Sequence, residues 1–232
     1  MKAVILAGGL GKRLRPFTKT IPKPMLPIGE KSVLDIQLER LKNAGCKEVI
    51  LATNYKSEVF KSHFKNRDIN GMEIIISKEE KRLGTAGPLS ILKERLDEPF
   101  IVMNGDILTL ANFKNFYNFS LNNDSILTLA IKKEITPFAF GNIYYQGDYV
   151  TGIEEKPNFV TYILAGIYVM KPDIFSYIPH NEYYDMDKLI LKLLKKKIPI
   201  AKYDLLEYWL DIGRPDDYEE AKKIFNEKFD KK

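Results

Sequence analysis

Apolar segments of strand length alternate with segments of helical spacing through the first half of the chain. The continuous apolar runs cover residues 3–7, 48–53, 72–77, 100–103 and 125–132. Apolar residues at helical spacing cover residues 33–43, 57–64, 86–96 and 110–121. Continuous apolar strands that alternate with helices predict a mostly parallel sheet with helices on both faces.

The pattern changes after Thr136. Short strand-like segments then follow one another through turns that contain glycine, over residues 141–145, 149–154 and 162–170. They predict an antiparallel or mixed region beside the first sheet. Four more elements complete the prediction: a helix over 186–196, strands over 198–203 and 208–211, and a helix from 215 to about 228. We interpret residues 1–232 as one α/β domain.

Composition and charge are those of an ordinary globular protein. The chain is 45% hydrophobic and 29% charged, which suits a domain with a sizeable core. Its net charge of +5 comes from 36 basic and 31 acidic residues that are interspersed along the sequence. The one dense basic run, around Lys195, lies near the end of a predicted helix, where cations complement the helix dipole. We therefore expect no nucleic-acid partner.

Cysteine and histidine are too few for several kinds of site. Cys46 is the only cysteine, so an internal disulfide is impossible and a reducing compartment, the cytoplasm, is expected. His63 and His180 are the only histidines, which leaves no zinc cluster, and the G-x-S-x-G elbow of serine hydrolases is absent. The first apolar run ends at Gly8 and is too short to span a membrane, so no membrane partner is expected.

A glycine-rich loop, AGGLGKRLRPFT over residues 7–18, directly follows the first predicted strand. Its glycines allow the backbone to approach a ligand and to point N–H groups toward an anion. Its cationic side chains add positive charge, and Arg13 can bind two phosphate oxygens at once. The spacing fits neither the G-x-G-x-x-G fingerprint nor the G-K-[ST] ending of a Walker loop.

A lysine bracketed by prolines follows this loop. Pro22 and Pro24 flank Lys23 and restrict the backbone on both sides of it. The bracket holds the ammonium group in place, which a freely solvated surface lysine does not require.

Two aspartates follow predicted strands. Asp106 comes just after the strand over 100–103, and Asp211 ends the strand over 208–211. Open parallel sheets bind ligands at the carboxyl ends of their strands, so we expect Asp106 in the same crevice as the glycine loop. Two carboxylates combined with substrate phosphates are a common way to hold magnesium. The sequence therefore predicts a Mg²⁺ site at Asp106 and Asp211.

Two further segments are less specific. LGTAG, over residues 83–87, has small residues that let a flat base lie against the backbone, although Thr85 also suits a plain helix cap. Glu155 and Lys156, in the sequence EEKP, offer an acceptor and a cation for sugar hydroxyls and a phosphate. A turn of this composition is also typical of a solvated surface loop.

Together these segments resemble a known family. AGGLGKRLRPFT, PKPMLPIG, LGTAGPL, NGD, EEKP, AGIYVM and YWLDIGRPDDY occur in this order over residues 2 to about 221. They look like the sugar-phosphate nucleotidyltransferases. The resemblance implies a Rossmann-like, mostly parallel sheet flanked by helices, with a smaller antiparallel or mixed substrate-binding region. It also implies a nucleotide-binding half over 1–135 and a sugar-phosphate-binding half over 136–232.

The resemblance also implies roles for individual residues. Nucleotide binding is expected at Leu6, Ala7, Gly8, Gly9, Gly11, Lys12, Arg13, Lys23, Glu79, Gly84, Thr85, Asn104 and Asp106. Catalysis is expected from Arg13, Lys23 and Asp106, and Mg²⁺ binding from Asp106 and Asp211. Sugar-phosphate binding is expected at Gly141, Glu155, Lys156 and Gly166.

Within that family the chain is most similar to short bacterial guanylyltransferases that make GDP-heptose, GDP-glucosamine or GDP-mannose. LGTAG resembles their base loop, and EYWLDIGRPDDYEEA resembles their ending. GTP is therefore the favoured donor and a sugar 1-phosphate the acceptor, in an enzyme that can form homo-oligomers. Leu164 stands where the family often has a sugar-contacting Asn, so the sugar is left open. No C-terminal β-helix, and hence no acetyltransferase activity, is expected.

Other functions remain as alternatives. UTP, CTP or dTTP could replace GTP in the same reaction. A module that senses nucleotide sugars without turnover is a second class, although a pure binder does not need both Asp106 and Asp211. A dinucleotide oxidoreductase is disfavoured because the glycine spacing differs from the dinucleotide fingerprint.

Overall fold

A computed structural model describes residues 1–65, 69 and 71–229, and within them the chain has eleven strands. In chain order these are β1 (Lys2–Leu6), β2 (Glu48–Thr53), β3 (Glu73–Lys78), β4 (Phe100–Asn104), β5 (Ile107–Thr109), β6 (Leu127–Pro137), β7 (Asn142–Gln146), β8 (Tyr149–Glu154), β9 (Asn158–Met170), β10 (Ile200–Asp204) and β11 (Trp209–Asp211). Seven of them form one sheet in the order β10-β6-β9-β4-β1-β2-β3.

Six strands of this sheet are parallel and β9 runs against them. β1 lies in the middle of the parallel part, with Leu6 level with Ala52 of β2 and Asn104 of β4. β9 enters between β4 and β6 and is antiparallel to both. The centres of β1, β2 and β4 are continuously apolar because both of their faces are covered, as is typical of parallel sheets. The predicted mostly parallel α/β fold is confirmed.

Helices cover both faces of the sheet. They are α1 (Val33–Asn43), α2 (Ser57–Phe64), α3 (Gly87–Ser90), α4 (Phe113–Leu121), α5 (Met186–Lys195) and α6 (Pro215–Ile224). α1, α2 and α4 pack on one face through Leu38, Phe60 and Phe113. α5 packs on the other face through Leu189 and Leu193. This arrangement places the two main hydrophobic clusters on opposite sides of the sheet.

α6 packs on a third cluster that joins several loops. Tyr218 and Phe225 pack with Leu14, Leu26 and Ile212, which are all buried. Leu14 directly follows Arg13, Leu26 lies three positions after Lys23, and Ile212 directly follows Asp211. The C-terminal helix therefore fixes three chemically important loops relative to one another.

Two small antiparallel sheets lie outside the main sheet. β5 pairs with β11, and β7 pairs with β8 in a hairpin. β6 and β9 also extend past the main sheet as a two-stranded arm that continues toward this hairpin. We call residues 131–164, which include β7, β8 and the paired ends of β6 and β9, the arm. The predicted antiparallel region is therefore confirmed, but its strand β9 is also an interior strand of the main sheet.

Several predicted boundaries were wrong. The helix predicted over 86–96 is reduced to α3. After α3 the chain continues as turns with hydrogen bonds between residues three apart, such as Leu92 N–H to Leu89 O, and these turns still bury leucines. The helix over 110–121 begins only at α4, because Leu110 N pairs with Tyr208 O and Asn112 caps the helix. The last helix ends at Ile224 and a wider turn follows.

The division of the domain at residue 135 stays a prediction. That position falls inside β6. In the described part of the chain, residues 1–65, 69 and 71–229, every helix is too short or too polar to cross a membrane.

Candidate nucleotide and metal site

A cavity opens at the carboxyl edge of the main sheet, where β1, β2, β3 and β4 end side by side. Eight of its lining residues were predicted to bind nucleotide: Leu6, Gly8, Gly9, Glu79, Gly84, Thr85, Asn104 and Asp106. A neighbouring cavity is lined by Gly9, Gly11, Lys12, Arg13, Lys23, Asp106 and Gly213. Gly9 and Asp106 line both, so the two cavities form one continuous site. Ala7 is buried in the wall and lines neither cavity.

Tight packing explains two glycines of the loop. A Cβ on Gly8 would lie 3.0 Å from Glu79 Oε1 and 3.3 Å from the Asn54 backbone nitrogen. Gly11 has a φ of 58°, and a Cβ there would lie 2.8 Å from Thr18 Cγ2. The Thr18 hydroxyl donates to the Gly11 carbonyl at 2.8 Å. The loop therefore keeps its backbone exposed toward the cavity while its far side is closely packed.

Lys23 reaches both predicted metal carboxylates. It begins a single helical turn, Lys23–Met25, and its side chain is 12% exposed. Its Nζ donates to Asp106 Oδ2 and lies 3.9 Å from Asp211 Oδ1. The ammonium group therefore partly neutralises two carboxylates that would otherwise repel each other.

Strand pairing brings the two aspartates together. Asp106 lies in the turn between β4 and β5, and Asp211 ends β11 opposite Ile107. The Ile212 N–H donates to the Asp106 carbonyl at 3.0 Å, which continues this pairing. Burial and the nearby Asp106 raise the pKa of Asp211, while Lys23 and Arg13 oppose the increase. The local charge therefore favours an additional cation.

This pair of oxygen donors fits Mg²⁺. Hard divalent cations prefer carboxylate oxygens, and Mg²⁺ usually takes one or two of them together with substrate phosphates and water. Among the described residues, no group of three or more His, Cys, Asp or Glu side chains is placed to hold a metal alone. A metal here would need ligands from the substrate in addition to Asp106 and Asp211.

Arg13 lies beside the loop that follows Asp211. A Cβ on Gly213 would lie 3.5 Å from both terminal nitrogens of Arg13. Gly213 and Arg214 both donate backbone N–H groups to Asp217, at 2.9 and 2.7 Å, which fixes this loop to the start of α6. The Arg13 guanidinium therefore lies over the backbone of Gly213, in a loop whose amides bind Asp217.

The LGTAG segment forms the opposite wall of the cavity. Gly84 has a φ of 83°, and a Cβ there would lie 2.7 Å from Asp185 Oδ1 and from the Tyr184 carbonyl. The Thr85 N–H donates to Asp185 Oδ1 at 3.2 Å, and the Thr85 hydroxyl accepts from Met186 N at 2.8 Å. The hydroxyl of Thr85 therefore caps α5 and not the helix that follows it in sequence.

Glu79 is a buried carboxylate at the end of β3. Its side chain accepts the Leu83 N–H at 3.0 Å, and the residue is only 5% exposed. Burial raises its pKa, and the Leu83 hydrogen bond and the charge of Arg82 oppose that shift. This part of the cavity thus combines an acceptor, Glu79, with a nearby cationic donor, Arg82.

The predicted sugar-side residues lie apart from these cavities. Gly166 has a φ of 67° at a bulge of β9, and a Cβ there would lie 2.6 Å from Asn104 Nδ2. Gly141 and Glu155 are neighbours in the arm, and Lys156 there is exposed with a φ of 48°. None of the four residues lines either cavity. Gly166 lies next to Asn104, which does line one.

Sequence reasoning missed four residues that line the main cavity: Ala52, Arg82, Pro88 and Asp185. Arg82 directly precedes LGTAG, so its charge was a usable signal. Asp185 is 100 residues away from Thr85, and only the fold joins the two. No pattern in the sequence predicted that contact.

Comparison with known proteins finds relatives that match almost the whole chain. The mannose-1-phosphate guanylyltransferase catalytic subunit beta of Drosophila pseudoobscura pseudoobscura is 37% identical over 224 residues, covering 94% of this chain and 60% of that protein. The structure of HddC from Yersinia pseudotuberculosis complexed with GMP-PN is 29% identical, with a TM-score of 0.75 and coverage of 97% and 99%. A glucose-1-phosphate thymidylyltransferase-like structure from Bacillus anthracis shares the fold, with a TM-score of 0.81 at 22% identity and coverage of 100% and 98%.

The chain spans about 60% of the length of the curated relative that it matches. The family model that it matches, described as nucleotidyl transferase, covers residues 2–228. Nearly the whole chain, including every residue of the two cavities, lies inside that match. The chain therefore belongs to the nucleotidyl transferase family.

Proposed function

We propose that the chain transfers a guanylyl group from GTP to a sugar 1-phosphate, giving a GDP-sugar and pyrophosphate. The observation that carries this proposal is the meeting of Lys23, Asp106 and Asp211 beside a glycine-rich loop at the carboxyl ends of parallel strands. A site of this kind combines phosphate-binding amides with cations and a carboxylate pair, which phosphoryl chemistry requires.

The nucleotide donor is proposed from the polar groups at the base end. Guanine presents N–H donors on its Watson–Crick edge and acceptors at O6 and N7. Glu79 supplies an acceptor and Arg82 a donor in the same wall. The name of the Drosophila relative and the GMP-PN complex of HddC support the same base.

The phosphates are proposed to lie along the glycine loop. Backbone N–H groups near Gly9 and Gly11 would bind phosphate oxygens, and Lys12 would add charge. Arg13 would hold the leaving pyrophosphate, and Lys23 would stabilise charge on the α-phosphoryl group. One preorganised donor of this kind contributes about a hundredfold or more in rate.

The acceptor phosphate needs no general base. A phosphomonoester has a second pKa of about 6, so the sugar 1-phosphate already carries an anionic oxygen near neutral pH. That oxygen attacks the α-phosphorus, a new P–O bond forms, and the bond to the β-phosphate oxygen breaks as pyrophosphate leaves. Neither histidine lines the two cavities of the site, which suits a reaction that depends on positioning.

Asp106 and Asp211 would hold Mg²⁺ in this site. When bound, the ion supplies positive charge to phosphate oxygens. Lys23, which contacts both carboxylates, would then be free to turn its ammonium group toward the α-phosphate. The fit rests on the paired oxygen donors, which the β5–β11 pairing and the Ile212 N–H to Asp106 carbonyl hydrogen bond bring together.

The sugar side is proposed to involve Gly141, Glu155, Lys156 and Gly166. Gly166 packs on Asn104, so the bulge of β9 connects the cavity to the arm. Glu155 would accept sugar hydroxyls and Lys156 would pair with the sugar phosphate. Both residues are exposed and free to approach a ligand.

The cytoplasmic location and the homo-oligomer also stay proposals. A buried Cys46 whose pKa burial raises to about 12 fits a chain that does not use its thiol for disulfides. Exposed aromatic residues of the arm, such as Tyr145 and Tyr149, are compatible with a subunit contact.

The direct test is a matrix of ATP, CTP, GTP, UTP and dTTP against a panel of sugar 1-phosphates, read by release of pyrophosphate. We expect GTP to be the best donor and a single sugar class to be preferred. Lys23→Ala serves as the inactive control. If pyrophosphate were released only with another triphosphate, the guanylyl assignment would be wrong and the nucleotidyl-transfer reaction would stand. If nucleotide bound without any release of pyrophosphate, the sensing module would be favoured.

A further inference from the structure

Gln37 is a buried amide with an unusual set of partners. It lies in the middle of α1 and is only 2% exposed. Its Nε2 donates to the Asn104 carbonyl at 3.0 Å and to the Ile107 carbonyl at 2.8 Å. Its Oε1 is buried and has no hydrogen-bond partner among the residues that the structure describes. The side chain is therefore placed to donate two hydrogen bonds, while its acceptor oxygen is left unused.

The two carbonyls that it binds stand on either side of Asp106. β4 ends at Asn104 and β5 begins at Ile107, so Gly105 and Asp106 form the turn between them. The Gly105 N–H donates to Leu6 O at 3.0 Å and anchors the start of this turn to β1. A buried carbonyl that is not paired within a sheet needs another hydrogen-bond donor. The Gln37 amide donates to both carbonyls that flank the turn.

The opposite side of the turn is closed by Pro24. A Cβ on Gly105 would lie 2.8 Å from Pro24 Cγ and 3.0 Å from Leu6 O. The turn is thus held between Gln37 and the residue that follows Lys23. A turn that is fixed on both sides gives its carboxylate one position, and metal affinity depends on how well such a ligand is fixed.

We propose that Gln37 is a positioning residue that sets the Mg²⁺ affinity of the site by holding the Asp106 turn; this inference rests on the proposed metal role of Asp106. Gln37 lines neither cavity of the site. It acts through two backbone carbonyls, so its loss should change the metal requirement of the reaction far more than nucleotide binding.

The test compares Gln37→Met with Leu41→Ala. Methionine keeps the length of the side chain and removes both donors. Leu41 also lies on the buried face of α1 and has no hydrogen bond to the turn, so its truncation controls for lost packing. Mn²⁺ binding is measured by electron paramagnetic resonance with GTP present, beside the Mg²⁺ dependence of pyrophosphate release and thermal unfolding.

For Gln37→Met we expect about tenfold weaker Mn²⁺ binding and a similar rise in the Mg²⁺ needed for half-maximal rate, in line with the loss of an outer hydrogen-bond partner at a metal site. The KM for GTP should change less than twofold. Leu41→Ala should lose stability and keep the wild-type metal dependence. Equal metal dependence in Gln37→Met and the wild type would overturn the inference.

Gln37→Glu is the second variant if the methionine variant does not fold. Its neutral carboxyl can donate one hydrogen bond, and its ionised form donates none and adds repulsion toward two carbonyls. We expect Mn²⁺ affinity relative to the wild type to fall as pH rises from about 6 to 8, over the range in which a buried carboxyl ionises. A constant ratio across that range would contradict the positioning role.

Asp106→Asn separates this inference from the metal proposal. If the wild type binds Mn²⁺ and Asp106→Asn does not, the metal site stands and the result for Gln37→Met decides the inference. If Asp106→Asn binds Mn²⁺ as the wild type does, the proposed metal site falls and the inference about Gln37 falls with it.

Discussion

The two ends of the candidate site are built differently. At the end proposed to bind the nucleotide, β1, β3 and β4 bring residues from distant parts of the chain to one edge, and the loops there pack tightly against one another. At the end proposed to bind the sugar phosphate, the residues of the arm lie beside an exposed hairpin and strands that leave the main sheet. The first end is determined by the fold, and the second leaves its side chains free.

The difference follows from strand direction. Parallel strands all end at the same edge, so any residue that follows such a strand is directed to one crevice. An antiparallel hairpin places its residues at both ends and on both faces, and it needs a partner or ligand to fix them. We therefore expect substitutions at the nucleotide end to cause large losses and substitutions in the arm to cause small and selective ones.

The largest expected effect is that of Lys23→Ala. Removal of an ammonium group that contacts both carboxylates should lower kcat by about a hundredfold or more, because a preorganised charge is lost where negative charge develops. Steady-state release of pyrophosphate measures it. Lys19→Ala, in the neighbouring turn, is the control and should keep near-normal kcat. A similar rate for Lys23→Ala and the wild type would remove the catalytic assignment.

Gly84→Ala tests how tightly the nucleotide end is packed. The new methyl group would meet two oxygens at 2.7 Å in a left-handed conformation, so the KM for GTP should rise about tenfold and the free energy of unfolding should fall by about 1–3 kcal/mol. Gly147→Ala in the hairpin turn has a φ of 58° with nothing near the added methyl, so it controls for backbone strain alone. An unchanged KM in Gly84→Ala would show that this wall does not contact the nucleotide.

The arm should respond selectively. Glu155→Ala and Lys156→Ala remove exposed groups, so each should raise the KM for the sugar 1-phosphate by about threefold to tenfold, which corresponds to roughly 0.7–1.4 kcal/mol. The KM for GTP should stay within twofold of the wild type in both. Initial rates with each substrate varied in turn give these values. A larger change in the GTP value than in the sugar value would reverse the assignment of the two ends.

The smallest effect concerns stability without metal. Because burial and Asp106 raise the pKa of Asp211 in the folded chain, the folded state binds a proton there more tightly than the unfolded state does. Stability should therefore fall as pH rises from the ordinary aspartate pKa through the raised one. Asp211→Asn should flatten that dependence and, at pH 7, raise Tm by on the order of one or two degrees. Thermal unfolding in a chelator between pH 3.5 and 7.5 measures both, and a lower Tm for Asp211→Asn would contradict this account.

The sequence allowed prediction of the elements whose signals are local. α1, β2 and α2 occupy the predicted ranges, because helical spacing, capping by Ser32 and short apolar runs all lie within a few residues of the elements they define. The placement of Asp106 beside the glycine loop was also predictable, since residues after parallel strands meet at one edge.

Other features depend on contacts between distant residues. The place of β9 between β4 and β6 is set by pairs that lie far apart in sequence, such as Ile167 with Met103 and Tyr168 with Leu129. The apolar pattern of β9 would suit many other neighbours. The contact of Asp185 with Thr85 spans 100 residues. The role of Gln37 is hidden in the same way, because a lone polar residue on a helix face does not reveal which carbonyls lie opposite it.

The insertion of β9 also has a consequence for the order in which the chain can assemble. Without β9, the sheet separates into a four-stranded part, β4-β1-β2-β3, and a pair, β10-β6, which are not paired with each other in the described sheet. During synthesis, the first part can pair its strands as soon as residue 104 is available, but β4 keeps an open edge until residues 158–170 emerge. Late pairing of this kind raises contact order and slows folding, and it leaves an apolar strand edge open to other chains in the meantime.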